Sequence, residues 1–412
     1  MRLVVQKFGG SVLKDVRSIE HVADIITQTK DCSPVIVVVS AMRNHTDNLI
    51  NLAYRINPSP PPRELDMLLT VGERITTALL SLALAKRGYQ AMSFTGSQVG
   101  IITDNEHTNA KILKIHGERI INALQANIIP IVAGFQGVST NKEITTLGRG
   151  GSDITAVALA AFFKADHCEL YKDVKGIFTE NPKIFSKVKP IKEITYEELA
   201  EMTSSGAEIV SHRACELAIK YNVPLVIKSF YNPNKTLTIT KNMQKPNEFN
   251  YCNLEKPFVR AVTHLLNLNR LTLIAVPKLP KCLHQVIVQL AEAKIPLLFF
   301  SHGVPSNNHF DLSFIVTQEN FSKAFEVLKN IQKAVNAQRI DITRNLAAVS
   351  LIGPGISSDP EIFNQVFSVF HFLGVHIDAF SSTEMKITCF INQKYYKKVV
   401  RALLKQFKLV NK

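Results

Sequence analysis

The sequence predicts an α/β fold in which helices cover both faces of a largely parallel sheet, followed by two smaller α+β units. Over the first 230 residues, short apolar runs typical of strands alternate with longer segments typical of helices. This alternation favours a parallel sheet, because parallel neighbours need a long crossover connection, usually a helix. Beyond residue 260 the order becomes strand–helix–strand–strand–helix and occurs twice, with an offset of about 75 residues.

The strands and helices of the first part follow in a regular order. Val35–Val39 is an apolar, β-branched run, typical of a strand buried on both faces. Arg74–Lys86 is rich in leucine and alanine, which favours a buried helix. The other predicted elements are strands at Ile128–Ala133, Cys168–Tyr171 and Leu225–Ser229, and helices at Ile154–Lys164, Tyr196–Met202 and Arg213–Tyr221.

A polar stretch with little periodicity, residues 232–257, separates the two parts of the chain. The two repeats that follow it span residues 271–334 and 347–407. We therefore predict a first domain at 1–235, a linker at 236–260, and two α+β units at 261–340 and 341–412.

Composition excludes several classes of protein. The net charge is +14, but there is no run of five or more lysines and arginines and no aromatic platform interleaved with them, so nucleic-acid binding is not indicated. No apolar run approaches the length of a membrane span, and the N-terminus lacks the pattern of a signal peptide. The six cysteines lie far apart and show no metal-binding spacing. We expect a cytoplasmic protein with reduced cysteines and no membrane partner.

One turn concentrates several chemical functions in a few residues. Leu147-Gly148-Arg149-Gly150-Gly151-Ser152-Asp153 lies between a polar loop and an apolar helix. Glycines allow a ligand to approach the backbone, a helix N-terminus offers free N–H groups to an anion, and arginine suits a carboxylate or phosphate. A plain helix start with Ser152 or Asp153 as the N-cap explains those two residues but not Arg149.

A second glycine turn opens the chain. The strand-like run Leu3-Val4-Val5 is followed by Lys7-Phe8-Gly9-Gly10-Ser11, which places a lysine and two glycines at a strand end. Such a turn can hold a phosphate, although Gly-Gly turns are common. It matches neither the P-loop nor the dinucleotide-binding fingerprint, because both have a different glycine spacing.

Together the two turns resemble the aspartokinase family, which reads Lys-Phe-Gly-Gly-Thr-Ser-Val near its start and Thr-Leu-Gly-Arg-Gly-Gly-Ser-Asp near its middle. The resemblance is strong over residues 1–235 and only architectural beyond residue 260. Further blocks match in the family's order, namely Ser40-Ala41-Met42 with Thr46-Asp47-Asn48-Leu49, Gly72-Glu73-Arg74, Gly134-Phe135-Gln136-Gly137, Asp173-Val174-Lys175-Gly176-Ile177-Phe178 and Gly206-Ala207.

This resemblance implies a fold and a reaction. The fold would be an amino-acid-kinase-like three-layer αβα sandwich followed by two ACT units, which are ferredoxin-like amino-acid sensors; taken alone, the repeats also fit generic ferredoxin-like units. The reaction would be phosphorylation of the side-chain carboxylate of L-aspartate by MgATP to 4-phospho-L-aspartate, the first step towards lysine (through diaminopimelate), threonine and methionine. The attacking carboxylate is already ionised at neutral pH, so catalysis needs positioning and charge stabilisation rather than a base.

The resemblance also implies roles for individual residues. Lys7 and Asp153 would be catalytic, and no residue is expected to bind a metal directly. Substrate would be bound by Ser40, Thr46, Glu73, Phe135, Arg149 and Ser152, and ATP by Lys7, Gly9, Gly10, Ser11, Lys172, Asp173, Phe178 and Lys183.

Each of the central residues has a simpler explanation. Lys7 could be a surface lysine, since lysine is usually exposed. Asp153 could be a capping carboxylate, and Glu73 could complement a helix dipole. Phe178 could be a core residue rather than a platform for adenine. We also expect that Lys7→Ala lowers kcat by orders of magnitude with little effect on the stability of the fold.

Several residues depart from the family pattern. Glu208 replaces a lysine that faces the nucleotide phosphates, so either Glu208 points away or another base such as Lys172 compensates. Val12 replaces a serine near the phosphates, and Lys183 replaces an arginine, which keeps the charge but not the planar fork. The loop at 277–280 lacks a glycine expected beside an amino-acid ligand, whereas 353–355 keeps two.

Other functions remain open from the sequence. The chain could be another enzyme of the amino-acid-kinase fold, acting on glutamate, N-acetylglutamate, carbamate or UMP. It could also be an ACT-bearing sensor with a catalytically weakened kinase domain, which Glu208 and Val12 would suggest. For an aspartokinase we expect lysine as the first candidate effector, threonine as the second, and a homodimer formed through the ACT units.

Overall fold

The computed structural model describes residues 2–174, 176–233, 236–241 and 258–411. The chain divides into two compact units. The first unit comprises Met1–Phe178 and Lys189–Leu254, and the second comprises Thr179–Val188 and Glu255–Lys412.

The first unit alternates strands and helices as predicted, and two strands, β2 and β13, have the predicted bounds. Its strands are β1 (Val4–Phe8), β2 (Val35–Val39), β3 (Ala91–Phe94), β4 (Ile101–Thr103), β5 (Ile112–Ile115), β6 (Ile129–Ala133), β7 (Gln136–Ser139), β8 (Ile144–Thr146), β9 (His167–Lys172), β10 (Ile177–Phe178), β11 (Pro190–Ile191), β12 (Glu193–Thr195), β13 (Leu225–Ser229) and β14 (Thr236–Lys241). Its helices are α1 (Val16–Lys30), α2 (His45–Ile56), α3 (Pro62–Leu69), α4 (Val71–Ala85), α5 (Glu118–Gln125), α6 (Gly151–Phe162), α7 (Tyr196–Ser204) and α8 (His212–Tyr221).

The main sheet of the first unit has the strand order β12-β14-β13-β9-β1-β2-β6-β3. All neighbouring pairs from β13 to β3 are parallel, so the carboxyl ends of these strands lie at one edge of the sheet. Strand β14 is antiparallel to β13. A smaller sheet has the order β5-β4-β7-β8, and β10 pairs with β11 alone.

Strand β1 lies in the middle of the main sheet and divides its side chains between two helical layers. Phe8 packs in an apolar core with buried residues of α1 and α4 on one face. Lys7 points to the other face, where α6 packs against β1, β2 and β9. This alternation follows from the two-residue period of a strand, and it places Lys7 beside the first turn of α6.

Helices α3 and α4 form one nearly continuous run, because the intervening Thr70 has helical dihedral angles. By length and composition alone the run Pro62–Ala85 could cross a membrane, with a mean hydropathy of 1.4 over its most apolar window. Half of that window is buried inside the unit, as expected for a core helix. The buried face also carries two carboxylates, Asp66 and Glu73.

The second unit is built on a single antiparallel sheet with the order β16-β17-β15-β18-β20-β19. The predicted repeat of strand–helix–strand–strand–helix is present. The strands are β15 (Ala261–Pro277), β16 (Phe299–His302), β17 (His309–Thr317), β18 (Arg339–Ile352), β19 (Ala379–Thr383) and β20 (Lys386–Asn392), and the helices are α9 (Pro280–Glu292), α10 (Gln318–Val335), α11 (Pro360–Leu373) and α12 (Tyr396–Gln406).

Three features differ from the sequence prediction. The residues 236–241, assigned to a linker, form strand β14 of the main sheet; the rest of that linker up to residue 257 lies outside the described residues. The segment 179–188, placed in the first domain, belongs to the second unit. The predicted boundary between the two ACT-like units, at residue 340, falls inside β18 because β15 and β18 run the length of the sheet.

Candidate active site

The two glycine turns follow strands of the first unit. The first, at 9–12, follows β1 and is closed by N–H groups of Val12 and Leu13 that donate to the carbonyl of Gly9. The second, at 147–150, leads from β8 into α6. Gly150 is the N-cap of α6 with φ of 71°, a left-handed conformation that favours glycine. The alternative in which Ser152 or Asp153 caps this helix is therefore wrong.

Lys7 and Asp153 meet in the interior of the unit. The Lys7 ammonium lies 2.6 Å from one Asp153 carboxylate oxygen, and both side chains are buried. The ammonium of Lys172, at the end of β9, lies 3.7 Å from the other oxygen. Lys7 is thus not a surface lysine, and Asp153 holds two cations at the sheet edge. This centre is called the Lys7–Asp153–Lys172 centre below.

The charges of this centre are strongly coupled. Burial alone would raise the pKa of Asp153, but the charges of Lys172 and Lys7 outweigh it and hold the pKa at about 2. The backbone N–H of Ser211 also donates to Asp153, over 3.2 Å. Burial lowers the pKa of Lys172, and the charge of Lys7 acts in the same direction, although Asp153 opposes both. An ionised aspartate with two close cations gives a positive site suited to phosphate oxygens.

Glu73 provides a second buried charge in the first turn of α4. One carboxylate oxygen accepts the backbone N–H of Ala41 at 3.0 Å. The other oxygen is buried and has no hydrogen-bond partner among the described residues. Burial raises the pKa of Glu73 to about 7, against the effect of the Ala41 N–H. A role limited to the helix dipole does not explain a carboxylate buried with one oxygen unpaired.

The other predicted substrate residues lie on the loops around these carboxylates. Ser40 directly follows β2 and Thr46 is in the first turn of α2; both are half-buried. Phe135 has φ of 71° and donates its N–H to the Thr155 hydroxyl at 3.1 Å. A methyl group on Gly134 would lie 2.7 Å from Ser152, so this glycine allows Ser152 of α6 to approach the β6–β7 turn.

Arg149 is exposed at the tip of its turn. The turn is held from behind by Arg213 of α8, which donates to the carbonyl of Leu147 at 2.6 Å, to the carbonyl of Ala110 at 2.8 Å and to the side chain of Asn109 at 3.0 Å. No role for Arg213 was predicted from the sequence, because its partners lie more than 60 residues away in the chain. Ser211 was also missed, since its contribution is made by the backbone.

The predicted nucleotide residues are only partly brought together. Lys172 joins the centre around Asp153, Gly9 and Gly10 lie beside Lys7, and Ser11 is exposed at the end of the same turn. Asp173 follows Lys172 directly, and Phe178 is half-buried in β10. Lys183 is exposed and belongs to the second unit, so the geometry of the first unit does not include it.

Two of the departures from the family pattern, Glu208 and Val12, have physical explanations. Glu208 is exposed, whereas Lys172 supplies a cation at the centre, which fits the expectation that another base takes the place of the family's lysine. Val12 is fully buried and packs in the core with α1, so a hydroxyl at that position would replace an apolar contact. The described residues contain no cluster of three or more acidic, histidine or cysteine side chains that could hold a metal ion.

Comparison with family models matches both parts of the chain. Residues 2–229 match the model of the amino acid kinase family. Residues 349–407 match a model of the ACT domain. The predicted fold class, an amino-acid-kinase-like domain followed by an ACT region, is confirmed.

Known proteins similar to the chain are aspartate kinases. The aspartokinase of Pseudomonas aeruginosa is 39% identical over 412 residues, which covers 99% of this chain and 98% of the relative. The aspartate kinase of Stutzerimonas stutzeri is 38% identical over 411 residues, with the same coverage. The crystal structure of E. coli aspartokinase III in complex with aspartate and ADP has a similar fold, with a TM-score of 0.84 and 23% identity over 98% of this chain and 100% of that chain.

Proposed function

The chain belongs to the aspartokinase family, and from that premise we propose that it transfers the γ-phosphoryl group of ATP to the side-chain carboxylate of L-aspartate, giving 4-phospho-L-aspartate. The observation that supports this most is the Lys7–Asp153–Lys172 centre. Two residues separated by 146 positions of sequence form a buried ion pair, at the sheet edge where α/β folds commonly bind ligands.

The centre suits phosphoryl transfer because this reaction needs charge stabilisation more than proton transfer. The attacking carboxylate of aspartate is ionised at neutral pH, so no general base is required. Lys7 and Lys172 would counter the negative charge that gathers on the phosphoryl oxygens in the transition state. The two lysines hold the pKa of Asp153 at about 2, so its carboxylate would stay ionised at neutral pH and keep both ammonium groups in place.

Two further residues are proposed for the amino-acid substrate. The unpaired oxygen of Glu73 would accept the substrate ammonium, which removes the energetic penalty of a buried carboxylate without a partner. Arg149 would bind the α-carboxylate as a planar fork. Ser40, Thr46, Phe135 and Ser152 would surround the rest of the molecule, while Gly9, Gly10, Ser11, Asp173 and Phe178 would contact ATP.

The residues at the site fit a magnesium ion that arrives with the nucleotide. The one carboxylate at the centre, Asp153, already engages two lysines. Mg²⁺ commonly keeps several waters and is held by substrate phosphates with one or two carboxylates rather than by a protein cage. In place of the earlier expectation that no residue binds the metal directly, we propose Asp173, beside Lys172, as that carboxylate. The bound ion would supply further neutralisation of phosphate charge.

We extend the proposal to the second unit and to the setting of the enzyme. Lysine is the effector that we expect to bind there, and a solved relative has been crystallised with lysine and aspartate. Three further statements stay predictions, namely a homodimer through the ACT region, a place in the lysine, threonine and methionine pathway, and a cytoplasmic location. Titration calorimetry with lysine, threonine and methionine in parallel tests the effector, and equal absence of heat for all three would contradict it.

An assay of substrate choice tests the proposed reaction. The protein is incubated with MgATP and hydroxylamine, which traps an acyl phosphate as hydroxamate, and aspartate, glutamate and N-acetylglutamate are offered separately; UMP, which would not form an acyl phosphate, is followed by ADP release. We expect product with aspartate and at least tenfold less with the others. Preference for another acceptor would overturn the substrate, and no turnover with any of them would support a sensor.

The matched variants are Lys7→Met and Lys14→Met. Both remove an ammonium from the same stretch of chain, but Lys14 is exposed and bonds to the Tyr231 hydroxyl, away from Asp153. Lys7→Met is expected to abolish most turnover, whereas Lys14→Met is expected to keep it.

A further inference from the structure

A second buried carboxylate network lies in the first unit, apart from the Lys7–Asp153–Lys172 centre. Asp66 of α3 is fully buried. It accepts the Thr146 hydroxyl at 2.6 Å and the Thr108 backbone N–H at 3.0 and 3.1 Å, and its other oxygen lies 2.7 Å from Nδ1 of His107. A carboxylate with this many donors is fixed in place, because each lost bond would leave a buried polar group unpaired.

Asp66 stands on the same helical run as Glu73. The two residues are seven positions apart in the run Pro62–Ala85, so they share one buried face two turns apart, or roughly 10 Å along the axis. Any shift or rotation of this run therefore moves the Asp66 network and the Glu73 carboxylate together.

The residue that donates its hydroxyl to Asp66 lies directly before the turn of Arg149. Thr146 is the last residue of β8, three residues before Arg149. Its carbonyl also accepts the N–H of Ala110, at 2.9 Å. The Asp66–Thr146 bond thus joins the helical run that carries Glu73 to the strand that leads into the turn of Arg149.

The loop at 107–110 strengthens this connection. Thr108 has φ of 66°, a conformation that a β-branched residue adopts only when its surroundings hold it. Asp66 holds it through the Thr108 N–H. Asn109 packs under Gly148, where an added methyl group would lie 2.8 Å from the Asn109 side chain, and Arg213 clamps Asn109 and Leu147.

We propose that Asp66 is a positioning residue that fixes the separation between Glu73 and Arg149, and thereby selects aspartate over glutamate. This rests on the proposed function, in which Glu73 binds the ammonium and Arg149 the α-carboxylate. With both groups of the substrate's α-carbon held, the side-chain carboxylate must reach the phosphate over a fixed distance. Glutamate is one methylene longer, and a rigid pocket discriminates such a difference by about 10- to 200-fold.

Substitutions at both ends of the bond test the proposal. Asp66→Asn keeps the shape but turns one acceptor into a donor that faces N–H and O–H groups. Thr146→Val removes the hydroxyl, and Thr146→Ser restores it. We expect Asp66→Asn and Thr146→Val to raise KM for aspartate about tenfold and to lower the ratio of kcat/KM for aspartate to that for glutamate about tenfold. KM for ATP should change less than about twofold, and Thr146→Ser should behave as wild type.

A matched control variant distinguishes a positioning role of Asp66 from a general effect on the stability of the fold. Glu169→Gln alters another buried carboxylate, which bonds to Gln6 and Tyr171 on the face of the sheet opposite Lys7. It should lower the melting temperature without changing the aspartate-to-glutamate ratio. If Asp66→Asn does not fold, Thr146→Val carries the test, because it leaves the carboxylate and its other donors in place.

The outcomes are distinct for the two levels of proposal. A wild-type enzyme that does not phosphorylate aspartate would overturn the proposed function, and this inference with it. A wild-type enzyme that prefers aspartate, combined with folded Asp66→Asn or Thr146→Val variants of unchanged KM and unchanged substrate ratio, would overturn this inference alone.

Discussion

The Glu73 carboxylate combines burial, an unpaired oxygen and a raised pKa of about 7. Only the ionised form can pair with a substrate ammonium. We expect kcat/KM for aspartate to fall as the pH drops below about 7, by up to about tenfold per unit. Glu73→Gln should be weak throughout and flat with pH in this range. Initial-rate kinetics from pH 5.5 to 8.5 provide the measurement. KM for ATP is the internal reference, because Glu73 is not among the residues proposed to contact ATP.

The same titration affects the stability of the ligand-free protein. The pKa of Glu73 is raised above its usual value of 4.5 in the folded state. The protonated side chain therefore stabilises the folded state fully below pH 4.5, and this stabilisation is lost as the pH rises through about 7. Between these two pH values, ionisation of Glu73 lowers the free energy of unfolding by roughly 3 kcal/mol. Glu73→Gln should therefore unfold at higher urea concentration than wild type at pH 8. Equal midpoints at pH 8 would contradict the burial of an unpaired charge.

Lys7 illustrates where structure changes an expectation drawn from sequence. From the sequence, little effect of Lys7→Ala on the stability of the fold was expected, but Lys7 pairs with a buried carboxylate. Removing one partner of a buried pair typically costs about 3–5 kcal/mol, and Lys172 at 3.7 Å places this case near the lower end. Lys7→Met should thus lose both kcat, by about 100-fold or more, and stability. Urea denaturation decides between these expectations, and Lys7→Met/Asp153→Asn should recover stability but not activity.

Among single residues, those that stand in recognisable motifs could be predicted from the sequence. Those that are placed near the site only by the fold could not. Lys7 and Asp153 could be predicted because each stands in a recognisable turn. The placement of Lys172 beside Asp153 depends on the parallel pairing of β1 with β9, which sets Lys7 opposite Leu170. Asp66 could not be predicted because its partners lie 42 and 80 residues away. One available signal was overlooked, namely two acidic residues at a seven-residue spacing in an apolar helix.

At the scale of the elements, helix α6 depends on the glycine at its N-cap, Gly150. A methyl group on Gly150 would lie 2.3 Å from the Ser211 β-carbon, and φ there is 71°. Gly150→Ala should displace Ser211, whose N–H bonds to Asp153, and lower kcat at least about tenfold. Gly88→Ala is the matched control, because Gly88 has φ of 81° but no atom within 4 Å of an added methyl group. It should lower stability by about 1 kcal/mol and leave kcat unchanged. Similar kcat values for the two variants would mean that the start of α6 does not affect catalysis through Ser211 and Asp153.

Element boundaries were predictable where the hydrophobic pattern is uninterrupted. Strand β2 is a continuous apolar run, and its bounds were predicted correctly. Strand β15 was predicted to begin at Leu271 but begins at Ala261. It contains Asn267 with φ of 59°, and its register with β18 shifts between Leu265 and Leu268. An irregular residue of this kind interrupts the two-residue period that a sequence prediction depends on.

The whole molecule was harder to predict because its units are not continuous in sequence. The segment 179–188 resembles a loop of the nucleotide motif, yet it is part of the second unit. The Thr179 carbonyl accepts the N–H of Val262, and Glu180 lies 3.1 Å from His264. These partners stand more than 80 residues further along the chain, so no local pattern points to them.

Residues 409–411 hold the segment 179–188 in place through three contacts, and shortening the chain tests how much they contribute. The Thr179 hydroxyl donates to the Leu409 carbonyl at 2.8 Å, Val188 pairs with Val410, and the Asn411 N–H donates to the Lys187 carbonyl at 2.7 Å. A chain ending at residue 408 loses all three contacts. It should be cleaved by trypsin after Lys183 and Lys187 about tenfold faster or more, since proteolysis follows the population of locally opened states.

Two controls make this result specific. A chain ending at residue 411 keeps the three contacts and should behave as the full chain. Lys142, exposed in a turn of the first unit, should be cleaved at equal rates in all forms. Because Thr179 directly follows Phe178, a residue proposed to contact ATP, loosening the segment should also raise KM for ATP. Unchanged cleavage after Lys183 and Lys187 would mean that contacts further inside the second unit, such as those of Val262 and His264, hold the segment without help from the chain end.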